Sequence, residues 1–219
     1  MEAIIETAKA IATIVVEILL AIYFCRQYID KISAKIPMGP AVKQQNELDL
    51  DIINKMNYYK ELLNADRVLL FEFHNGQHYS NYRSALKMSA SYEVYRAGLE
   101  SSREKCSNLP IAIMPKFVSD ITKKGYSMCK DIEEIKDDMG NSYEFKKSIG
   151  IKSFFDVAIR DKDNNVIGFV AVQWNEVMPD NVDKKTVEHL AWYLEESVKR
   201  MMLNEASIKK HEKHWLFRK

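Results

Sequence analysis

The run Phe73, His74, Asn75 and Gly76, with His78 and Tyr79 close behind, is the most individual polar cluster in the sequence. Two imidazoles at i and i+4 hold zinc when a helix puts them on one face. The residues around His74 and His78 are those of a loop, where that spacing brings nothing together, and the sequence places no Cys or carboxylate beside them. No metal site is expected. Phe73, His74, Asn75 and Gly76, with Tyr79 close behind, read either as the polar rim of a small-molecule pocket or as a strand-end turn in which Asn75 and Gly76 take positive φ. Cys106 and Cys129 are the second candidate pair, since two thiols separated by a loop can serve as nucleophile and resolving partner. Reactivity would need an electropositive, partly exposed setting; the other reading is ordinary core cysteines. Phe71, Tyr92, Phe155, Asp156, Gln173 and Trp174 fall in expected strands, where they line a ligand cavity or fill the core and sheet surface.

The elements that must position these residues follow from periodicity. Asp66–His74 is a short apolar run that reads as a central strand, with Asn75 and Gly76 supplying turn chemistry after it. Leu86, Met88, Ala90 and Tyr92 alternate with Lys87, Ser89 and Ser91, the period of a half-buried antiparallel strand that pairs with the first. Lys116–Lys124 reads as a helix, Gly125 as a turn, Tyr126–Lys130 as a short strand, with helical pieces on either side of Met139 and Gly140. From Gly150 two apolar runs, IKSFFDVAIR and NVIGFVAVQWN, are joined by DKDNN, a β-hairpin. Asp180, Asn181 or Asp183 then caps a helix with Val187, Leu190, Ala191, Leu194 and Val198 on its apolar face. The sum is an α+β arrangement around an antiparallel sheet.

Ahead of this lies a different kind of segment. From Ala3 to Cys25 the chain is apolar except for Glu6, Thr7, Lys9, Thr13 and Glu17. At about 1.5 Å per residue such a helix reaches roughly 34 Å, enough for a hydrocarbon core of about 30 Å. Glu17 near the bilayer centre costs about 2.5 to 3.5 kcal/mol, which the aliphatic side chains offset at roughly 0.3 to 0.6 each. Arg26, Lys31 and Lys35 follow the run, so the positive-inside bias turns its C-terminal side to the cytoplasm. The rival reading is a soluble pairing helix, with Ile4, Ile11, Val15, Ile18 and Ile22 close to heptad spacing. A signal peptide fits poorly, for want of a basic leader and a small-residue cleavage site. Ile36–Pro40 breaks the helix, and Val42–Leu63 resumes a helical rhythm. The expected organisation is residues 1–40 as apolar helix and linker, 41–205 as the main domain, and 206–219 as a basic aromatic tail. That tail suits an anionic membrane surface or the solvated end of the last helix.

The hairpin KSFFDVAIRDKDNNVIGFVAVQWNE, followed by VDKKTVEHLAWYLEESV, resembles the C-terminal half of GAF domains, in which a hairpin with a Gly in its second strand, here Gly168, precedes a C-terminal helix. NADRVLLFEFHNG is similar to the first GAF strand. The resemblance spans about 150 residues and lies in pattern and order. It implies a six-stranded antiparallel sheet with helices on one face and a small-molecule pocket on the other, often in a parallel dimer built by flanking helices. The NKFDE motif of cyclic-nucleotide-binding members is missing, and Cys106 and Cys129 do not supply the setting of a bilin-attachment cysteine. GAF-like free methionine sulfoxide reductases are thiol enzymes, which gives the cysteine pair its enzymatic alternative.

Composition narrows the functional classes. Lys and Arg total 32 against 31 Asp and Glu, so no bulk positive field attracts nucleic acid. Cys25, Cys106 and Cys129 are odd in number and far apart, which suits a reducing cytosol. The expectation is a non-enzymatic, membrane-tethered, dimeric module facing the cytosol, binding a small molecule or a protein partner, with no cofactor predicted. With no output domain attached, it would act through a separate partner. A thiol-dependent reductase and a purely structural membrane protein are the alternatives.

Overall fold

The computed structural model describes residues 2–33, 38–78 and 84–216. The chain forms two compact units, Met1–Gln45 and Asn46–Lys219. The first carries α1 (Glu2–Ser33), within which Ile11–Tyr28 is long and apolar enough to cross a membrane and is exposed along its length. A second helix, α2 (Met38–Leu62), begins inside the segment expected to break the helix. Pro40 falls in its first turn, where a missing N–H costs nothing because that N–H has no helical acceptor.

The second unit is built on six antiparallel strands: β1 (Arg67–His78), β2 (Ser84–Tyr95), β3 (Leu109–Pro110), β4 (Tyr126–Cys129), β5 (Ser153–Arg160) and β6 (Val166–Trp174), in the order β3-β2-β1-β6-β5-β4. The predicted hairpin forms with Ser153 opposite Trp174 and Asp156 opposite Ala171. Its turn is held by Asp161, whose Oδ1 accepts the N–H groups of Asp163 and Asn165 at 2.9 and 2.8 Å. β1 runs longer than expected. Asn75 pairs with Leu86, and neither Asn75 nor Gly76 has positive φ, so the expected turn is strand. A Cβ on Gly76 would sit 2.1 Å from the Ala85 oxygen, so glycine serves close strand approach there, not chain reversal.

Three short helices, α3 (Pro115–Lys124), α4 (Lys136–Met139) and α5 (Asn141–Ser148), precede the hairpin, and α6 (Lys184–Leu216) follows it. Gly125 closes α3 with φ of 81°, and its N–H donates to the Ile121 carbonyl. Asp183 caps α6 by accepting the Lys185 N–H and the Thr186 hydroxyl, both at 3.2 Å. α6 runs to Leu216, so the basic aromatic stretch continues a helix as far as that residue.

Both faces of the sheet are covered. On one, Val68, Leu70, Phe155, Val157, Val170, Val172 and Trp174 pack against Ile52 and Met56 of α2 and Val187, Leu190 and Leu194 of α6. On the other, Leu69, Phe71, Met88, Phe154, Phe169 and Ala171 pack against Phe117 and Ile121 of α3, Met139 of α4 and Tyr143 of α5. The face implied to hold an open pocket is therefore roofed by α3–α5.

Candidate functional site

Strand alternation sorts the sequence-predicted residues between the two faces. Phe71, Phe73, Asp156 and Gln173 share the face under α3–α5. Phe155 and Trp174 lie in the other core, where the Trp174 indole N–H donates to the Leu63 carbonyl at 3.3 Å. Tyr92 packs on that side too and donates its hydroxyl to Asp49 of α2. Burial and this bond raise its pKa, which makes Tyr92 an anchor between sheet and helix. His74 alternates with Phe73 and so points away from the α3–α5 face; its Nε2 meets Ser89 Oγ at 2.8 Å. Asn75 is exposed, and Tyr79 lies outside the described residues.

Under α3–α5 a polar group gathers inside an apolar core. Arg67 lies directly opposite Gln173, and Gln173 opposite Phe154, forming one row across β1, β6 and β5. Asp156 stands in the next row beside Ser127 of β4. From α5 come Ser142 and Lys146, which share a helix face at i and i+4. Lys146 Nζ donates to Asp156 Oδ2 at 3.0 Å and lies 3.6 Å from the centre of the Phe154 ring. Asp156 is fully buried, and burial raises its carboxyl pKa while the Lys146 charge works the other way.

Arg67 is tied from behind by Glu93, with its Nε 3.0 Å from Glu93 Oε1, and its Nη2 donates to the Glu100 carbonyl at 2.9 Å. Glu93 also accepts from the Ser101 and Ser102 hydroxyls and from the Ser102 and Arg103 N–H groups. Burial pushes its pKa up, but these bonds and Arg67 outweigh it and hold the carboxyl below its ordinary 4.5. A folded pKa below the unfolded value stabilises above that value and loses the contribution as pH falls through the folded one. Glu93→Gln is accordingly expected to destabilise the protein by about 1.5 to 3 kcal/mol near neutrality. The deficit relative to wild type shrinks in acid, as urea denaturation at several pH values would read.

What distinguishes the group is unused hydrogen-bonding capacity. Arg67 Nη1, Ser142 Oγ, Asp156 Oδ1 and Gln173 Oε1 are buried and have no hydrogen-bond partner among the described residues. Buried polar atoms are nearly always paired, so four spare valences on one sheet face and the helix above it mark a place built to hold something polar. Ser142, Lys146 and Gln173 line a cavity of about 20 Å³ whose other walls include Phe71, Phe117 and Phe169. The Phe71 and Phe169 rings stack at 4.6 Å, and Phe117 meets Phe169 edge-on at 5.1 Å.

The thiols are not among the unpaired atoms: the Cys106 thiol donates to Ser102 Oγ, itself a partner of Glu93. Cys106 and Cys129 are both buried, and burial is the first cause of a raised pKa in each, the opposite of what a nucleophile needs. The Cys129 thiol donates to the Asp131 carbonyl at 2.8 Å. Maleimide labelling of the native protein followed by mass spectrometry is expected to leave both unmodified until denaturant is added.

Arg67, Ser142 and Lys146 were not singled out by sequence reading. Arg67 opens β1, and Lys146 sits beside Lys147 and two residues after Glu144, so neither carries a local mark of burial in its sequence neighbourhood. The one usable signal was Asp156, a lone carboxylate inside an apolar strand that required a buried cation to face it.

No protein-family model matches the chain, and a search of curated proteins returns no match. Solved structures do resemble it. The blue-light-absorbing form of the PixJ GAF domain of Thermosynechococcus elongatus superposes with a TM-score of 0.56 at 14% identity, covering 78% of this chain and 95% of that one. The phycoerythrobilin-bound GAF domain of a cyanobacterial phytochrome gives 0.53 at 17% identity over 81% and 95%. A phycocyanobilin-bound counterpart gives 0.51 at 18% over 77% and 92%. The fold is GAF-like: a six-stranded antiparallel sheet flanked by helices, as the hairpin and its following helix implied.

Proposed function

We propose that this protein is a non-enzymatic sensory or regulatory module whose GAF-like domain takes a small molecule between α5 and the sheet. The observation that carries the reading is that four of the buried, unpaired polar atoms, Arg67 Nη1, Ser142 Oγ, Asp156 Oδ1 and Gln173 Oε1, belong to α5 and to one face of the sheet. Such atoms cost about 1 to 3 kcal/mol each when nothing satisfies them, a cost that a ligand removes and a purely structural core has no reason to keep. The bilin-bound neighbours support a ligand on this fold, although a cavity of about 20 Å³ leaves no room for a chromophore of that size. The raised thiol pKa values of Cys106 and Cys129 weigh against a thiol reductase on this scaffold.

In this reading residues 3–25 of α1 tether the chain to a membrane, the domain faces the cytosol, two copies pair, and a separate protein receives the signal. The length and exposed apolar surface of α1 support the tether, and the basic residues after it support the orientation. Native mass spectrometry of the detergent-solubilised full chain tests the ligand: a co-purifying small molecule is expected, displaced in a Gln173→Leu variant. A ligand retained unchanged by that variant would place binding elsewhere. An alkaline carbonate wash of membranes should leave the protein in the pellet, and release into the supernatant would refute the tether.

A further inference from the structure

The polar group beneath α5 has a definite electrical character. Its four formal charges cancel in two pairs, Arg67 with Glu93 and Lys146 with Asp156. A ligand of net charge would bury that charge uncompensated, at a cost of several kcal/mol in a low-dielectric interior, so one without net charge is favoured. The spare valences are of both kinds. Arg67 Nη1 offers a donor, Asp156 Oδ1 and Gln173 Oε1 offer acceptors, and Ser142 Oγ offers both. Next to the polar row the same face turns apolar, with the stacked Phe71 and Phe169 rings and Phe117 beside them.

Resting on the ligand-binding reading above, we infer that the ligand is an apolar α-amino acid, held as a zwitterion. Its carboxylate sits against Arg67 and Lys146, its ammonium against Asp156 and Gln173, and its side chain on the phenylalanine wall. The cavity, about 20 Å³ and lined by Ser142, Lys146 and Gln173 but not by Arg67 or Asp156, holds one water-sized sphere, so an amino acid is admitted only as the Lys146–Asp156 pair parts and α5 lifts from the sheet to make room. A zwitterion does this without stranding a charge: its carboxylate replaces Asp156 at Lys146 and its ammonium replaces Lys146 at Asp156. Molecules carrying only one of the two charges cannot make both exchanges.

The test is isothermal titration of the detergent-solubilised full chain with L-leucine and L-phenylalanine, with L-leucinamide and N-acetyl-L-leucine as controls lacking the carboxylate or the free ammonium. Saturable binding of at least one amino acid is expected, weakened by about tenfold or more in each control, or 1.4 kcal/mol. The double variant Lys146→Met with Asp156→Leu replaces a buried ion pair by apolar side chains, which is commonly neutral or stabilising. It should keep its melting temperature and lose binding. Gln173→Ala breaks no bond that Oε1 makes, so it should fold as wild type and bind about tenfold more weakly. Controls that bind as well as the amino acids, or no response to either amino acid at millimolar concentration, would overturn the inference. A co-purifying ligand of other chemistry overturns only the zwitterion. No bound small molecule in the native spectrum, together with no response to the amino acids, removes the ligand-binding reading as well.

Discussion

Gly168→Ala is expected to be the most damaging single substitution in the domain, costing about 3 kcal/mol or more or abolishing soluble expression. Gly168 pairs with Glu72 of β1 and Ile159 of β5, in the middle of the sheet. A Cβ there would lie 2.0 Å from the Phe71 carbonyl oxygen and 3.0 Å from its carbon. Those are backbone atoms of a paired strand and cannot rotate aside as a side-chain end can. Relief therefore requires β1 and β6 to separate at Phe71 and Phe169, whose stacked rings wall the candidate site. The damage should appear both as a lower midpoint in urea and as lost ligand binding in whatever folded fraction remains. A midpoint within experimental error of wild type would contradict the strand spacing described here.

Lys146→Ala is the second large effect. Removing one partner of a buried ion pair leaves the other uncompensated, at about 3 to 5 kcal/mol, and Asp156 is fully buried. The loss should depend on pH in a definite direction. Burial raises the folded-state pKa of Asp156 above its ordinary 3.8. A raised carboxyl pKa gives a contribution that is fully present below the unfolded value and is lost as pH rises through the folded one. Without the Lys146 charge to oppose burial, the folded pKa rises further and the window widens. The deficit of Lys146→Ala relative to wild type should thus be largest near neutrality and shrink in acid, as Asp156 takes up its proton. Paired urea titrations of both proteins would show it, and a deficit that grows in acid would mean Asp156 is not the group left stranded. The trend runs opposite in physical origin to that of Glu93→Gln, although both deficits shrink at low pH: there the wild type loses its advantage, here the variant recovers.

These substitutions differ in how visible their sites are before the chain folds. Gly168 was visible through the resemblance to GAF hairpins, whose second strand carries a glycine; the close approach that requires it was not. The hairpin and the apolar face of α6 were plain because each depends on neighbours within a few residues, whereas the cap was narrowed only to Asp180, Asn181 or Asp183 until the structure chose the last. Asn75 and Gly76 misled because their turn preference is weak beside the ladder bonds that β2 supplies to the extended β1. Whether Tyr92, Phe155 and Trp174 face the site or the opposite core could not be read from type, since aromatic residues suit both.

The sequence by itself determined the order of the elements at either end of the domain, the strand period and the apolar character of α1, which follow from short-range stereochemistry and side-chain transfer energies, but not the two-residue β3, too short to carry a period. Which residues meet was decided only by the tertiary structure. Arg67, Lys146, Asp156 and Gln173 lie on three strands and a helix spread over more than a hundred positions, and their grouping depends on strand order and on α5 crossing the sheet. Electrostatics and hydrogen bonding act over a few ångströms of space, whatever the separation along the chain, so a site assembled from distant segments leaves little trace in any one of them.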